Sequence, residues 1–331
     1  MRYHCVDAGS AKCPCILLES GQCYTCRMAR EGICACGEDW RGSCPYTEWQ
    51  QQGELPQAAP RTYEAPLLAV REYGTHLAVV KLSVPRGLAQ RCRALGTYII
   101  VEALGWQIPL SVLRSTCTAG AALHDSPTGG RIEIALQPAG PKSRALLQDR
   151  TAPWRIRGPF YGGLTCIGSG SLRPAEPLLV IAKGTALAPF INTIDRWCSV
   201  KQRDLTLLID EEKLTAEFLT DYLQTETGEK LSWQPIHLAS EMPKALQLLS
   251  DSRQTLFLTS PYYASLAEKA FTEYSTSACA AHDRSGDFCL LLPNHANICC
   301  GIGICGACSE TDADGITLRK CKCAGRAVVI E

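Results

Sequence analysis

Residues 299–310 read CCGIGICGACSE and hold four cysteines and three glycines within twelve residues. Cys300, Cys305 and Cys308 form a C-x4-C-x2-C pattern, and two further cysteines follow downstream. This is the plant-type spacing for a [2Fe–2S] cluster held by four thiolates. The glycines suit such a loop, because backbone N–H groups that approach the cluster sulfurs leave no room for side chains. Zinc is the competing metal, but structural zinc usually takes two short cysteine pairs that lie far apart in the chain.

The composition indicates a protein that stays inside the cell. The chain has 331 residues, 46% of them hydrophobic, and 33 basic residues balance 33 acidic ones. This balance gives no reason to expect nucleic acid or an anionic membrane as a partner. No apolar run approaches the ~18 residues of a membrane helix. The first fifteen residues also lack the apolar stretch of a secretory signal. We therefore predict a cytoplasmic protein that binds neither nucleic acid nor membrane.

The 20 cysteines of the chain are clustered. In a cytosolic protein such clusters bind metal or carry redox chemistry more often than they form disulfides. Eight lie near the amino end in two groups of four, and the second group repeats the spacing of the first twenty-one residues later. The repeat predicts duplicated metal sites in a small domain, residues 1–49, with either [4Fe–4S] clusters or zinc. The eight predicted ligands are Cys5, Cys13, Cys15, Cys23, Cys26, Cys34, Cys36 and Cys44.

The rest of the chain divides by its strand and helix patterns into four further segments. Residues 50–66 are polar and proline-bearing and are predicted to be a linker. Residues 67–165 hold short β-type runs bounded by Gly or Pro, which indicate an antiparallel β-barrel. Residues 166–288 alternate buried-type strands with helical segments and predict a parallel α/β sheet. Residues 289–331 contain the cysteine-rich loop and are predicted to form the cluster-binding domain of this multidomain protein.

The carboxyl-terminal stretch resembles a known family. CGIGICGAC, followed by CAGRAVV, is similar to the cluster loop of the electron-transfer subunit of dihydroorotate dehydrogenase and its relatives. The resemblance covers roughly residues 60–331. It implies a ferredoxin-reductase-like protein with an FAD-type barrel, an NAD-binding-like α/β domain and a terminal [2Fe–2S] loop. The implied ligands are Cys300, Cys305, Cys308 and Cys323, since Cys323 matches the family's fourth ligand better than Cys321 does.

The flavin-binding residues of the family are partly present. An Arg-Pro-x-Ser/Thr stretch holds the flavin in the family, and the matching IPLSV keeps Pro109 and Ser111 but has Ile108 in place of the arginine. Ile108 cannot offer a phosphate the charge-assisted donors of arginine. GPKSRALL resembles the family's phosphate loop. The resemblance therefore implies that Lys142 and Ser143 serve the FAD pyrophosphate, with a solvated surface lysine as the alternative for Lys142.

The nicotinamide side departs further from the family. AKGTALAP keeps Gly184 from a run of glycines where backbone approaches the dinucleotide, while Ala182, Lys183 and Ala186 fill the other glycine positions. The added Cβ atoms and the lysine stem are expected to crowd a bound NAD(P). The resemblance thus implies FAD, whereas these substitutions count against NAD(P).

Together these features predict an electron-transfer subunit of a multi-subunit oxidoreductase. Single electrons would pass through the [2Fe–2S] cluster to or from a partner flavoenzyme, dihydroorotate dehydrogenase-like or other, and ferredoxin is a further candidate partner. No residue is predicted to be catalytic, which favours a hetero-oligomeric relay over a stand-alone enzyme. Similar cysteine-rich heads on relatives of the family suggest an anaerobic source. Two alternatives remain, a self-sufficient NAD(P)H-dependent flavin and iron–sulfur reductase and an assembly subunit that carries structural zinc.

Overall fold

The computed structural model describes residues between 61 and 323, and all structural statements below concern those residues. The described ranges are 61–103, 106–117, 129–148, 153–167, 172–173, 176–198, 204–280, 288–298, 301, 307–311 and 317–323. The predicted amino-terminal metal domain, with its eight cysteine ligands, lies outside the described residues.

Seven strands form an antiparallel sheet that curves into a half-barrel, in the order β1-β7-β4-β5-β6-β3-β2. The strands are β1 (Arg61–Ala65), β2 (Leu67–Tyr73), β3 (Leu77–Val84), β4 (Tyr98–Ala103), β5 (Trp106–Cys117), β6 (Gly130–Leu136) and β7 (Trp154–Phe160). The long strand β5 joins the two halves, because residues 106–111 pair with β4 and residues 112–117 pair with β6. Within the described residues β1 and β2 are the edges of this sheet, so the predicted barrel is open between them.

The core of the half-barrel is formed by side chains of alternate residues, which lie on one face of each strand. Val80, Leu82 and Val84 of β3 lie on one face, because side chains two apart in a strand point the same way. They pack against Ile132 and Ile134 of the neighbouring β6. Two helices cover this core, α1 (Arg86–Arg91) and α2 (Pro141–Gln148).

A second sheet of six strands has the order β11-β10-β9-β12-β13-β8. These strands are β8 (Leu164–Ile167), β9 (Leu178–Lys183), β10 (Leu205–Asp210), β11 (Gln234–Pro235), β12 (Gln254–Leu258) and β13 (Cys289–Pro293). The first five in the spatial order run parallel, and β9 and β12 are almost wholly buried because helices cover both of their faces. The helices are α3 (Ala188–Ile191), α4 (Ile194–Cys198), α5 (Ala216–Tyr222), α6 (Leu238–Asp251) and α7 (Pro261–Ala280), and a 3-10 turn, Gly184–Leu187, precedes α3.

The sheet is mixed and not purely parallel as the sequence predicted. β8 pairs antiparallel with β13 at one edge. The direction of β8 is set by this long-range pairing and not by a helical crossover from a neighbouring strand of the same sheet, since β8 follows β7 of the half-barrel.

Three strands lie across the segment boundaries expected from the sequence. β1 falls in the predicted linker but pairs with β7 along its whole length. β8 begins within the predicted barrel segment, and β13 opens the predicted cluster segment, yet both belong to the α/β sheet.

The two sheets share an apolar core and polar links. Tyr73, Leu77 and Leu113 of the half-barrel belong to the same cluster of buried side chains as the residues of β9 and α5. Across the same interface Tyr222 donates a 2.6 Å hydrogen bond to the buried carboxylate of Glu133. The half-barrel and the α/β sheet therefore form one packed unit.

After the last strand of the α/β sheet the chain forms a small hairpin. It consists of β14 (Ser309–Thr311), β15 (Thr317–Arg319) and the short helix α8 (Lys320–Cys323). Among the described helices none has the length and apolar character that crossing a membrane requires.

Candidate functional site

A cleft of about 510 Å³ lies between the half-barrel and the α/β sheet, and ligand sites commonly have volumes of this order. It opens where the order of the parallel strands reverses, between β9 and β12. In open α/β sheets, ligands bind at this point, outside the carboxyl ends of the strands. One wall comes from β4 and β5, and the other from residues that follow the parallel strands. The lining residues used below are Tyr98, Pro109, Ser111, Lys183, Thr185, Ala186, Glu212, Thr259, Asn294, His295 and Ile298.

The structure places two of the predicted flavin contacts in the cleft. Pro109 and Ser111 line it from β5. Ile108 and Leu110 point to the opposite face of the strand and pack against the half-barrel core. The side chain at position 108 is therefore turned away from the cleft, which explains why an apolar residue is accommodated there.

Lys142 and Ser143 are not among the residues that line the cleft. Both lie in the first turn of α2, where the Ser143 hydroxyl donates to the carbonyl of Gly140 and accepts from its N–H. The preceding strand β6 pairs with β5 at Val112↔Ile134, so α2 begins near the Ser111 end of that pairing. Ser111 lines the cleft, whereas Lys142 and Ser143 do not, and their helix packs its Leu146 and Leu147 into the half-barrel core.

Gly184 follows β9 in a left-handed conformation, with φ of +54°. Of the three residues expected to crowd this loop, Ala182 is fully buried in the shared core and is not among the residues that line the cleft. Lys183 and Ala186 do line the cleft. The ammonium of Lys183 lies 2.9 Å from Asp210 Oδ2, so its positive charge is already paired.

Glu212 is a cleft residue that the sequence reasoning missed. It lies in a tight turn closed by a 2.8 Å hydrogen bond from the N–H of Leu214 to the carbonyl of Glu211. Its φ of +52° is unusual for a residue with a side chain. A Cβ atom at Gly184 would lie 2.5 Å from Glu212 Oε2, so the carboxylate sits directly over that glycine. The available signal was an acidic run directly after a buried strand, DEE at 210–212.

Asn294 and His295, which follow β13, are further cleft residues. The side-chain amide of Asn294 donates to the carbonyl of Gly162 at 2.8 Å and to that of Lys320 at 3.3 Å, which ties the cleft to the hairpin. His295 is exposed, and partial desolvation lowers the pKa of its imidazole while a hydrogen bond with the Thr259 backbone partly opposes this. Because the pKa is lowered, the neutral imidazole is favoured at neutral pH.

The segment that leads into the predicted cluster loop forms part of the cleft. Ile298 lines the cleft and packs against Tyr98, Ile100 and Phe160. The rings of Tyr98 and Phe160 are stacked with their centroids 5.2 Å apart. Gly301, with φ of +67°, is pressed against the same residues, since a Cβ there would lie 2.8 Å from Phe160 Cε1 and 2.9 Å from Ile100 Cδ1.

The predicted cluster ligands are only partly within the described residues. Cys308 is buried, and the N–H of Lys320 donates to its carbonyl at 3.0 Å. Cys300, Cys305 and the side chain of Cys323 lie outside the described residues. The described residues alone contain no group of three or more metal-binding side chains. Cys321, set aside in favour of Cys323, is buried at 1% exposure, close along the hairpin to Cys308.

The chain matches no model of a known protein family and no curated protein. Among solved structures it is similar to the NADH-dependent reduced ferredoxin-NADP oxidoreductase, described for flavin-based electron bifurcation. The two are 14% identical over 78% of this chain and 85% of that chain, with a TM-score of 0.51. A ferredoxin reductase in carbazole 1,9a-dioxygenase is 17% identical over 67% of this chain and 68% of that chain, with a TM-score of 0.46. The Amycolatopsis cytochrome P450 reductase GcoB is 16% identical over 65% and 66%, with a TM-score of 0.45.

Identities at this level show a shared fold alone, and of these three structures the first has the highest TM-score. The chain therefore has the two-domain fold of that ferredoxin-NADP oxidoreductase, an antiparallel half-barrel joined to an α/β sheet with a cleft between them.

Proposed function

We propose that this protein is the electron-transfer subunit of an oxidoreductase complex, which passes electrons between a flavin in the cleft and a [2Fe–2S] cluster in the following loop. One observation carries the proposal. Ile298 and Gly301 flank the first predicted cluster ligand, and both lie against Ile100 and Phe160, beside the cleft residue Tyr98. A group in the cleft and a metal centre in this loop would be close neighbours, and electron transfer is fast only over short distances.

The residues present fit FAD in part. Pro109 and Ser111 line the cleft together with Tyr98, whose ring is almost fully buried and stacked on Phe160. The first turn of α2, with Lys142 and Ser143, is the candidate site for the pyrophosphate, because helix N-termini favour anions. Ile108 contributes nothing to phosphate binding, so Lys142 would have to supply the positive charge that the family's arginine gives. When bound, FAD supplies the conversion between two-electron and one-electron steps.

The proposed cluster ligands are Cys300, Cys305, Cys308 and Cys323. Support comes from their plant-type spacing and from the burial of Cys308 next to the hairpin. Cys321 competes with Cys323 for the fourth position because its side chain is buried in the same hairpin. Four thiolates would give the cluster a low potential, near about −400 mV for the plant type.

The partner we propose is a flavoenzyme subunit, dihydroorotate dehydrogenase-like or other, with ferredoxin as a further candidate, in the cytoplasm. The similar solved structure is named for flavin-based electron bifurcation, which supports flavin-linked electron transfer without fixing this chain's substrate. The amino-terminal cysteines would extend the path if they bind [4Fe–4S] clusters, or form a docking module if they bind zinc.

Anaerobic purification followed by an optical spectrum and analysis of iron, sulfide, zinc and flavin tests the proposal. We expect flavin together with about two irons per chain from the loop. The iron content should be about ten per chain if the amino-terminal metal domain holds two four-iron clusters. A colourless protein that contains only zinc would support the assembly subunit. A protein with flavin that NADH reduces directly would support the self-sufficient reductase, which the position of the cleft also allows.

A further inference from the structure

We propose that Glu212 excludes the pyrophosphate of nicotinamide dinucleotides from the cleft, so that this protein does not take electrons directly from NADH or NADPH. The inference deepens the proposed function, on which it rests for the assignment of the cleft as the redox site. It names Glu212 as the residue that separates a relay subunit from a self-sufficient reductase.

The first reason is occupancy. The backbone at Gly184 comes directly after β9, at the point where the strand order reverses and the cleft is open to a ligand. A bare glycine at such a point normally lets a ligand approach the backbone closely. Here the Glu212 side chain takes that space, since its Oε2 lies 2.5 Å from where a Cβ of Gly184 would be. A ligand that reached the Gly184 backbone would have to displace this carboxylate.

The second reason is charge. Among the described residues that line the cleft, Lys183 carries the one ammonium, and it is held 2.9 Å from Asp210 Oδ2. Asp210 also accepts a 3.1 Å hydrogen bond from the N–H of Leu238, so this ion pair is fixed in place at the carboxyl end of β10. Partial desolvation lowers the pKa of His295, which favours its neutral form. Glu212 therefore adds a negative charge that no lining cation offsets, and an approaching pyrophosphate would be repelled.

The third reason is conformation. Glu212 occupies a left-handed backbone conformation, with φ of +52°, that favours glycine. This conformation is part of the turn that brings the side chain back over Gly184. It also supplies a clean test, because Glu212→Gly fits the same backbone without strain.

The test is equilibrium dialysis of the holoprotein against NADH, with Glu212→Gly, Glu212→Gln and Glu211→Gln as variants. Glu212→Gly removes both bulk and charge, and Glu212→Gln removes charge alone. Glu211→Gln removes the same charge from the neighbouring residue, which does not line the cleft. We expect wild type and Glu211→Gln to bind NADH weakly and equally. Glu212→Gly should bind at least about tenfold more tightly, with Glu212→Gln between them.

Two results would overturn the inference. One is micromolar binding of NADH by the wild type, and the other is binding by Glu212→Gly that is no tighter than wild type. The thermal unfolding midpoint of each variant, together with its flavin and iron content, is measured on the same samples. Absence of flavin and iron from the wild type would refute the proposed relay. The dialysis comparison of the variants would still show whether Glu212 limits NADH binding.

Discussion

The buried carboxylate of Glu133 joins the two halves of the molecule at the level of single residues. It accepts a 2.6 Å hydrogen bond from Tyr222 of α5 and lies 3.1 Å from the ammonium of Lys81. Tyr222→Phe would leave a buried carboxylate without its hydroxyl donor, and such a loss costs about 1–3 kcal/mol. We expect the free energy of unfolding in urea to fall by this amount. Tyr262→Phe, at a ring that is 66% exposed, is the control and should change nothing. Equal stabilities for the two variants would contradict the account.

Cys92 shows how burial controls thiol reactivity. Its side chain is fully buried in the half-barrel core, and burial raises the pKa of the thiol to about 12. Since the thiolate is the reactive form, iodoacetamide at pH 8 should leave Cys92 unmodified in the folded protein and alkylate it in urea. Peptide mass spectrometry reads the outcome, with the half-buried Cys117 as an internal comparison. Rapid labelling of Cys92 in the folded protein would show that this core is open.

Pro109 and Ser111 are the flavin contacts predicted from IPLSV, and alternation along β5 places both at the cleft. Their contact with a flavin stays a prediction. Glu212 was missed because its role depends on an unusual φ and on a glycine twenty-eight residues earlier, and neither leaves a pattern in the sequence.

At the level of elements, Gly163 fixes where the chain passes from the half-barrel to the α/β sheet. Its N–H donates to the carbonyl of Gly96 at 3.0 Å, and a Cβ at position 163 would collide with that same backbone oxygen. Gly163→Ala must push two backbone segments apart, and overpacking of this kind costs roughly 1–3 kcal/mol.

Gly163→Ala should therefore have a clearly lower free energy of unfolding in urea than the wild type. Ligand binding in the adjoining cleft should change as well. Gly140→Ala is the matched control, because a Cβ at position 140 meets nothing within 4 Å. If Gly163→Ala proves as stable as Gly140→Ala, the close approach of the two segments does not exist in solution.

The periodic elements were predictable and their connections were not. The apolar runs of β9, β10 and β12 and the alternation of β3 and β6 follow directly from the burial of two faces or of one. The antiparallel direction of β8 depends on a pairing with β13, more than a hundred residues away. β1 was not predicted because its place in the sheet depends on pairing with β7, which is distant in the sequence.

At the level of the whole molecule, the shared core of the two sheets places the cleft beside Ile298 and Gly301, which flank the first predicted cluster ligand. Ile298, Asn294 and Gly301 all connect the last strand of the α/β sheet to the wall of the half-barrel or to the hairpin. The sequence predicted both the half-barrel and the cysteine-rich loop, but their contact through Tyr98 and Phe160 emerged only from the fold. This contact is the basis for proposing a relay between two redox groups.

The EPR spectrum of the anaerobically purified, dithionite-reduced protein tests the central claim most directly. A reduced [2Fe–2S] cluster holds one unpaired electron, so we expect a signal of about one spin per chain from the loop. Cys308→Ser should abolish or strongly alter that signal, whereas Cys92→Ser, at a core thiol distant in sequence from the loop, should leave it unchanged. An EPR-silent wild-type protein, or a signal that survives Cys308→Ser intact, would contradict the claim that the carboxyl-terminal cysteines hold an electron-transfer cluster.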